Sequence, residues 1–221
     1  VDDCRLAFAA LSAGGAAPPA RAVRATGGDA PRVGIPAGMI AATDCEPALL
    51  AAWNRTLEHL DGERIEVRDV GSPPHVRGVG AIFAANLAAR WGDRVDAEPP
   101  DLVSPDVRAG IDFGRSLTAT DYLGASEALA GARRLAPSLF GDVDVLILPT
   151  APILSPPLEQ PAPVSVASAF TRPWSAFGCP SISLPCAVRD VSGCGIQVVG
   201  RTGEDVRLLS WARELEDLIA G

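Results

Sequence analysis

The chain has 221 residues, 48% of them hydrophobic and 21% charged, enough to bury one sizeable core or two small ones. Its net charge of −8 and pI near 4.8 argue against the basic surface that displaces counterions from a phosphate backbone, so no direct nucleic-acid partner is expected. No apolar run reaches the roughly 18 residues needed to cross a bilayer, and Val1-Asp2-Asp3 is not the basic start of a secretory leader, so the expectation is a soluble, cytoplasmic protein.

In chain order, residues 1–13 read as a helix with acids at its start and apolar Leu6, Ala9, Ala10 and Ala13. A Gly/Pro/Ala-rich loop follows over 16–30, then a short buried strand at 32–35 stopped by Pro36. Thr43 stands three residues before Glu46, which predicts a capping box, with Pro47 in the first turn of a helix bearing Leu49, Leu50, Trp53, Leu57 and Leu60 on one face. Residues 64–70 alternate Ile65 and Val67 with charges, as a half-exposed strand does. A helical pattern runs over 73–91 through Val76, Val79, Ile82, Phe83 and Leu87, and the polar stretch 92–100 is expected to be a surface connection.

Ser104-Pro105 supplies an N-cap and a first-turn proline. Thr118 and Asp121 repeat the capping box before a long helix whose face is Tyr122, Ala125, Leu129, Ala132, Ala136 and Leu139. Residues 143–148 form an apolar run suited to the middle of a sheet covered on both faces. After the Pro-rich stretch 151–163, two strands are expected at 181–184 and 195–199. Thr202 and Asp205 then open a capped amphipathic helix with Leu208, Leu209, Ala212, Leu215, Leu218 and Ile219 on its face. Strands alternating with helices indicate an α/β architecture.

Several chemistries are excluded by residue type. All 19 basic residues are arginine, so this chain holds no P-loop lysine, lysine Schiff base or lysine general base. Five cysteines without CxxC spacing and two histidines do not make a zinc pattern, so neither metal nor cofactor is expected. The cysteines read as buried thiols, with Cys179 and Cys186 also weighed as pocket-lining residues or thiol nucleophiles. Gly78-Val79-Gly80 falls inside a helical pattern and Gly193-Cys194-Gly195 reads as a turn, so neither is a nucleotide loop. There is no Gly-x-Ser-x-Gly elbow.

Ordered blocks along the chain carry a resemblance. Asp144-Val145-Leu146-Ile147-Leu148-Pro149-Thr150-Ala151-Pro152 resembles the D-V-L-x-x-P-T-x-P strand and loop of amidase-signature proteins. Phe170-Thr171-Arg172-Pro173-Trp174, continuing through Gly178-Cys179-Pro180 and Ile182-Ser183 to Cys186, is similar to their F-T-x-P-x-N-x-x-G-x-P-x-I-S-x-P-x-G block. Gly195-Ile196-Gln197-Val198-Val199-Gly200-Arg201 resembles their G-x-Q-x-V-G-R ending. Val1-Asp2-Asp3, Ser104-Pro105-Asp106-Val107-Arg108 and Leu117-Thr118-Ala119-Thr120-Asp121-Tyr122 match earlier words in the same order.

The resemblance implies part of the amidase-signature fold, a mixed β-sheet flanked by helices. All 221 residues would form the C-terminal portion of one such domain, with a sheet incomplete in this chain and an apolar sheet edge exposed. It implies amide-bond hydrolysis by a nucleophilic serine, a bridging serine in a cis peptide and a lysine base, with backbone amides holding the oxyanion. That machinery would lie N-terminal to Val1, on the same or a separate chain, so no catalytic residue is assigned here and the chain alone is expected to be inactive. Its share would be a substrate wall for a small-molecule amide, formed by Thr150, Pro152, Phe170, Thr171, Trp174 and Cys179. Trp174, Ser175 and Ala187 stand where the family has a small or polar residue, Asn and Gly. The alternatives are an inactive remnant or binding module, and part of a glutamyl-tRNA amidotransferase A-type glutaminase subunit.

Overall fold

The computed structural model describes residues 1–12, 31–62, 66–186 and 193–220. The expected loop at 16–30, Ile65 and Ala187 lie outside them. In chain order come α1 (Asp2–Ser12), β1 (Val33–Ile35), α2 (Ala37–Ala41), α3 (Pro47–Gly62) and β2 (Val67–Asp69). Next are α4 (Val79–Asp96), α5 (Pro105–Ser116) and α6 (Ala119–Leu135). The chain continues through β3 (Val145–Pro149), α7 (Val164–Ala167), α8 (Arg172–Phe177), β4 (Ser181–Pro185), β5 (Gly195–Val199) and α9 (Asp205–Ala220). Two compact units result: Val1–Pro73 with Ala136–Gly221, and Pro74–Leu135.

The larger unit holds a five-stranded mixed sheet in the order β2-β1-β3-β5-β4. β1 is parallel to β2 and β3, and β5 is antiparallel to β3 and β4. This is the α/β sheet with flanking helices that the sequence implies. β3 is central and all five of its residues are buried, as its unbroken apolar run requires. Buried in the same unit are Val33, Trp53, Phe140, Phe170, Trp174, Phe177, Leu184, Ile196, Leu208 and Leu215.

The two sheet edges are polar rather than apolar. β2 presents Arg68 and Asp69 to solvent, and β4 presents Ser181, Ser183 and Pro185. Short edges carrying charge and proline discourage strand addition, which corrects the expected apolar edge. Exposed apolar side chains sit on helices and in the Pro-rich loop instead, including Leu6 and Leu11 on α1 and Leu158.

Side chains set the strand starts. Arg32 donates to Asp144 from its backbone N–H at 3.0 Å and from Nε and Nη2 at 3.1 Å each, locking the entries of β1 and β3 together. Arg201, just after β5, donates to the carbonyls of Pro137 (3.3 Å), Gly141 (3.1 Å) and Val143 (2.8 Å) and lies 4.9 Å from the centre of the Phe140 ring.

Two caps differ from expectation. The Thr43 hydroxyl donates back to Met39 O at 2.8 Å, and Glu46 turns to the Pro-rich loop, so no capping box forms before α3. Thr202 lies beside Cys179, and α9 begins with Leu208 N–H donating to Glu204 O at 2.8 Å.

In the smaller unit, α4 runs on to Asp96, through the stretch expected to be a connection. Arg108 explains this, because its guanidinium donates to the carbonyls of Val95 (3.3 Å), Glu98 (3.2 Å) and Pro99 (3.1 Å) and so satisfies the helix end. The second capping box does form: Thr118 N–H donates to Asp121 Oδ2 at 2.9 Å, and Asp121 N–H donates to Thr118 Oγ1 at 3.1 Å. α6 buries Ala125 and Ala132 but leaves Tyr122 exposed. It stops at Leu135, where a 3-10 turn, Ala136–Phe140, takes over around Pro137, which has no N–H to continue the ladder.

Candidate functional site

Where β3 runs out, the chain turns at Thr150, whose N–H donates to Gly195 O at 2.8 Å, one more rung of the β3–β5 ladder. Its hydroxyl is 2.6 Å from the Ser183 hydroxyl of β4, across the top of β5. Such an approach needs a residue without a side chain between them. A β-carbon at position 195 would stand 2.7 Å from Ser183 Oγ and 2.9 Å from Thr150 Oγ1, so glycine is required there.

The hydroxyl pair lines an open cleft of about 460 Å³ whose other walls are Ala151, Ile153, Leu184, Pro185, Gly193, Cys194 and Gly195. Glu46 holds one side of it. Its N–H donates to Pro152 O at 2.9 Å, and its carboxylate accepts from Leu154 N–H at 3.1 Å. The glutamate read as a helix cap is thus a fastener for the Pro-rich loop.

Of the six residues expected to form a substrate wall, Thr150 alone lines this cleft. Pro152 is buried in the fastened loop. Phe170 is buried, and its carbonyl accepts from Gln197 Nε2 at 3.1 Å, while Gln197 pairs in register with Ser183. Thr171 caps α8 with its carbonyl, which accepts from Ser175 N–H at 3.3 Å. Trp174, on α8, is 1% exposed, with its ring centre 6.3 Å from that of Phe177. Its indole N–H is buried with no hydrogen-bond partner among the described residues. Gly178, at φ 71°, ends α8 and turns the chain so that Cys179 is buried 4.0 Å from the Thr202 hydroxyl.

The sequence reading missed Ser183, Gly195, Ile153 and Cys194 as lining residues. Ser183 had a signal: it is the polar middle of a strand in which Ile182 and Leu184 point the other way.

Chemically, the cleft offers hydroxyls and apolar walls. Burial pushes the Cys179 thiol up, and Cys194 is pushed up to about 12, chiefly by burial and further by its hydrogen bond with Cys186. Both are protonated at neutral pH, the opposite of what a thiolate nucleophile needs. His59 commits Nε2 to Leu218 O at 2.7 Å. Among the described residues no cluster of His, Cys, Asp and Glu is arranged to hold a metal ion, and no helix is long and apolar enough to cross a membrane.

The sequence profile of the amidase family matches residues 16–209. The chain belongs to the amidase-signature family. It is 30% identical to 2-amino-5-chloromuconic acid deaminase from Comamonas testosteroni, over 99% of this chain and 49% of that protein. It is 28% identical to the A-type subunit of glutamyl-tRNA(Gln) amidotransferase from Salinispora tropica, over 79% of this chain and 42% of that one. A crystal structure of an amidase superposes with a TM-score of 0.70 at 29% identity, covering 85% of this chain and 46% of the other. The structure of 6-aminohexanoate cyclic dimer hydrolase, at 20% identity and TM-score 0.73, shares the fold over 93% of this chain and 48% of its own. The chain therefore spans about half the length of these amidase-signature relatives.

Proposed function

We propose that this chain builds a substrate wall and part of the core of an amidase-type amide hydrolase, whose Ser-Ser-Lys machinery is supplied by an N-terminal segment or a separate chain. On this reading residues 1–221 are the C-terminal portion of a single amidase-signature domain. The observation that carries it is the open cleft at the end of β3, where two hydroxyls are held 2.6 Å apart in a chain whose basic residues are all arginine. Hydroxyls so placed can bind and orient a polar group, and among the described residues neither hydrogen-bonds a base that would activate it.

In this role Thr150 and Ser183 hydrogen-bond the polar end of a small amide, and Ala151, Ile153 and Pro185 pack against its acyl part. Trp174 does not line the cleft and backs this wall as part of α8. Phe170, Thr171 and Cys179 support that wall from behind through α8 and the Gln197 bridge.

A second reading, part of an amidotransferase glutaminase subunit, draws on the likeness to the Salinispora amidotransferase. A third, an inactive remnant or binding module, draws on Trp174, Ser175 and Ala187 at positions where the family has other residues. The lone chain tests the core of the proposal: assayed with simple aryl and alkyl amides, it should release no amine or ammonia. Turnover that persists when Cys179 and Cys186 are both replaced by serine would contradict it.

A further inference from the structure

The register of β4 and β5 sets Ser183 opposite Gln197, Leu184 opposite Ile196 and Pro185 opposite Gly195. Continued by one step beyond the strand ends, the same register sets Cys186 opposite Cys194. Directly opposed residues of an antiparallel pair share a face and have Cα atoms about 4.5–5.5 Å apart. That spacing lies inside the roughly 4.4–6.8 Å range a disulfide spans. The two side chains are already in hydrogen-bond contact, and both pack on one small cluster with Leu49, Ala52 and Cys45. Cys194 is also a wall of the cleft.

We propose that Cys186 and Cys194 are a modification site, closing to a reversible disulfide at the cleft wall when the protein meets hydrogen peroxide. Cys186 is partly exposed and Cys194 is 8% exposed, so the oxidant reaches Cys186 first. Its sulfur takes one oxygen from peroxide, giving a sulfenic acid and one water. The neutral Cys194 thiol, held against this sulfur, then attacks it without first becoming a free thiolate; its proton passes to the departing oxygen as the S–O bond breaks, giving a second water. Two thiols and one peroxide thus become one disulfide and two waters. A dithiol reductant reverses the change by exchange. The bond crosses the base of the connection between β4 and β5 beside Pro185 and Gly195, holding this wall of the cleft in one position.

The test is intact-mass and thiol counting on the full chain after equimolar hydrogen peroxide, and it needs no enzymatic activity. The oxidised protein should be about 2 Da lighter, retain three alkylatable thiols of its five cysteines, yield a linked Cys186–Cys194 peptide, and return to five thiols with dithiothreitol. Cys45→Ser should still form the bond, whereas Cys186→Ser should not. Circular dichroism of each variant confirms that it is folded. Five alkylatable thiols after oxidation, a bond through Cys45 or between two chains, or a sulfinic acid stable on Cys186 would each overturn the proposal.

Discussion

At Gly195 the clearance is too small for a methyl group, because both hydroxyls of the Thr150–Ser183 pair lie within 3 Å of where it would stand. Gly195→Ala should therefore push the pair apart and cost about 1–3 kcal/mol through overpacking, read as a lowered unfolding midpoint. Thr150→Val keeps the shape and removes one hydroxyl, so in a reconstituted enzyme it should raise KM for small amides with little loss of stability. Trp174 separates a packing role from a binding one. Trp174→Ala should cost about 3–5 kcal/mol, since the side chain is fully buried beside Phe177. Trp174→Phe keeps most of that packing and deletes only the indole N–H. If that donor meets substrate, Trp174→Phe should change the ratio of kcat/KM between a bulky and a small amide while leaving the midpoint nearly unmoved. An unchanged ratio would assign Trp174 to the core alone.

Elements in this chain are fixed by a few polar side chains at their ends. The Arg32 guanidinium holds the Asp144 carboxyl below the usual carboxylate range. A depressed folded-state pKa stabilises above the ordinary value of about 3.9 and is lost as pH falls through the lower folded value. Asp144→Asn should thus lower the midpoint at neutral pH and flatten the acid limb of the stability profile below about pH 4. An acid limb identical to that of the unaltered chain would show that the pair does not couple β1 to β3. Arg201→Ala strips the donors from three carbonyls and should cost about 2–3 kcal/mol by thermal or denaturant unfolding.

These elements also show what a sequence can and cannot convey. β3 was legible because five consecutive apolar residues need cover on both faces, and the Thr118–Asp121 cap because its partners are three residues apart. The end of α4 and the role of Glu46 were not, because Arg108 and Glu46 act on groups far enough along the chain to leave no local pattern. Thr150 was legible through its motif. Ser183 and Gly195 join it only through the pairing of β5 with both β3 and β4, which local periodicity does not specify.

For the whole molecule, the family and the mixed sheet follow from ordered blocks of residues spread over nearly the entire chain, while the activity proposed for it calls for a partner segment. The relatives compared are about twice as long as this chain, and among the described residues the chain's open cleft is lined by hydroxyls and apolar groups with no base. The most direct measurement is coexpression of this chain with an amidase segment carrying the nucleophilic serine, the bridging serine and the lysine, followed by an ammonia-release assay on small amides. The account predicts copurification and turnover that disappears when that segment's nucleophilic serine is replaced by alanine and weakens with Gly195→Ala in this chain. A copurifying pair without turnover would contradict it in favour of a binding role, and turnover by this chain alone would contradict it outright.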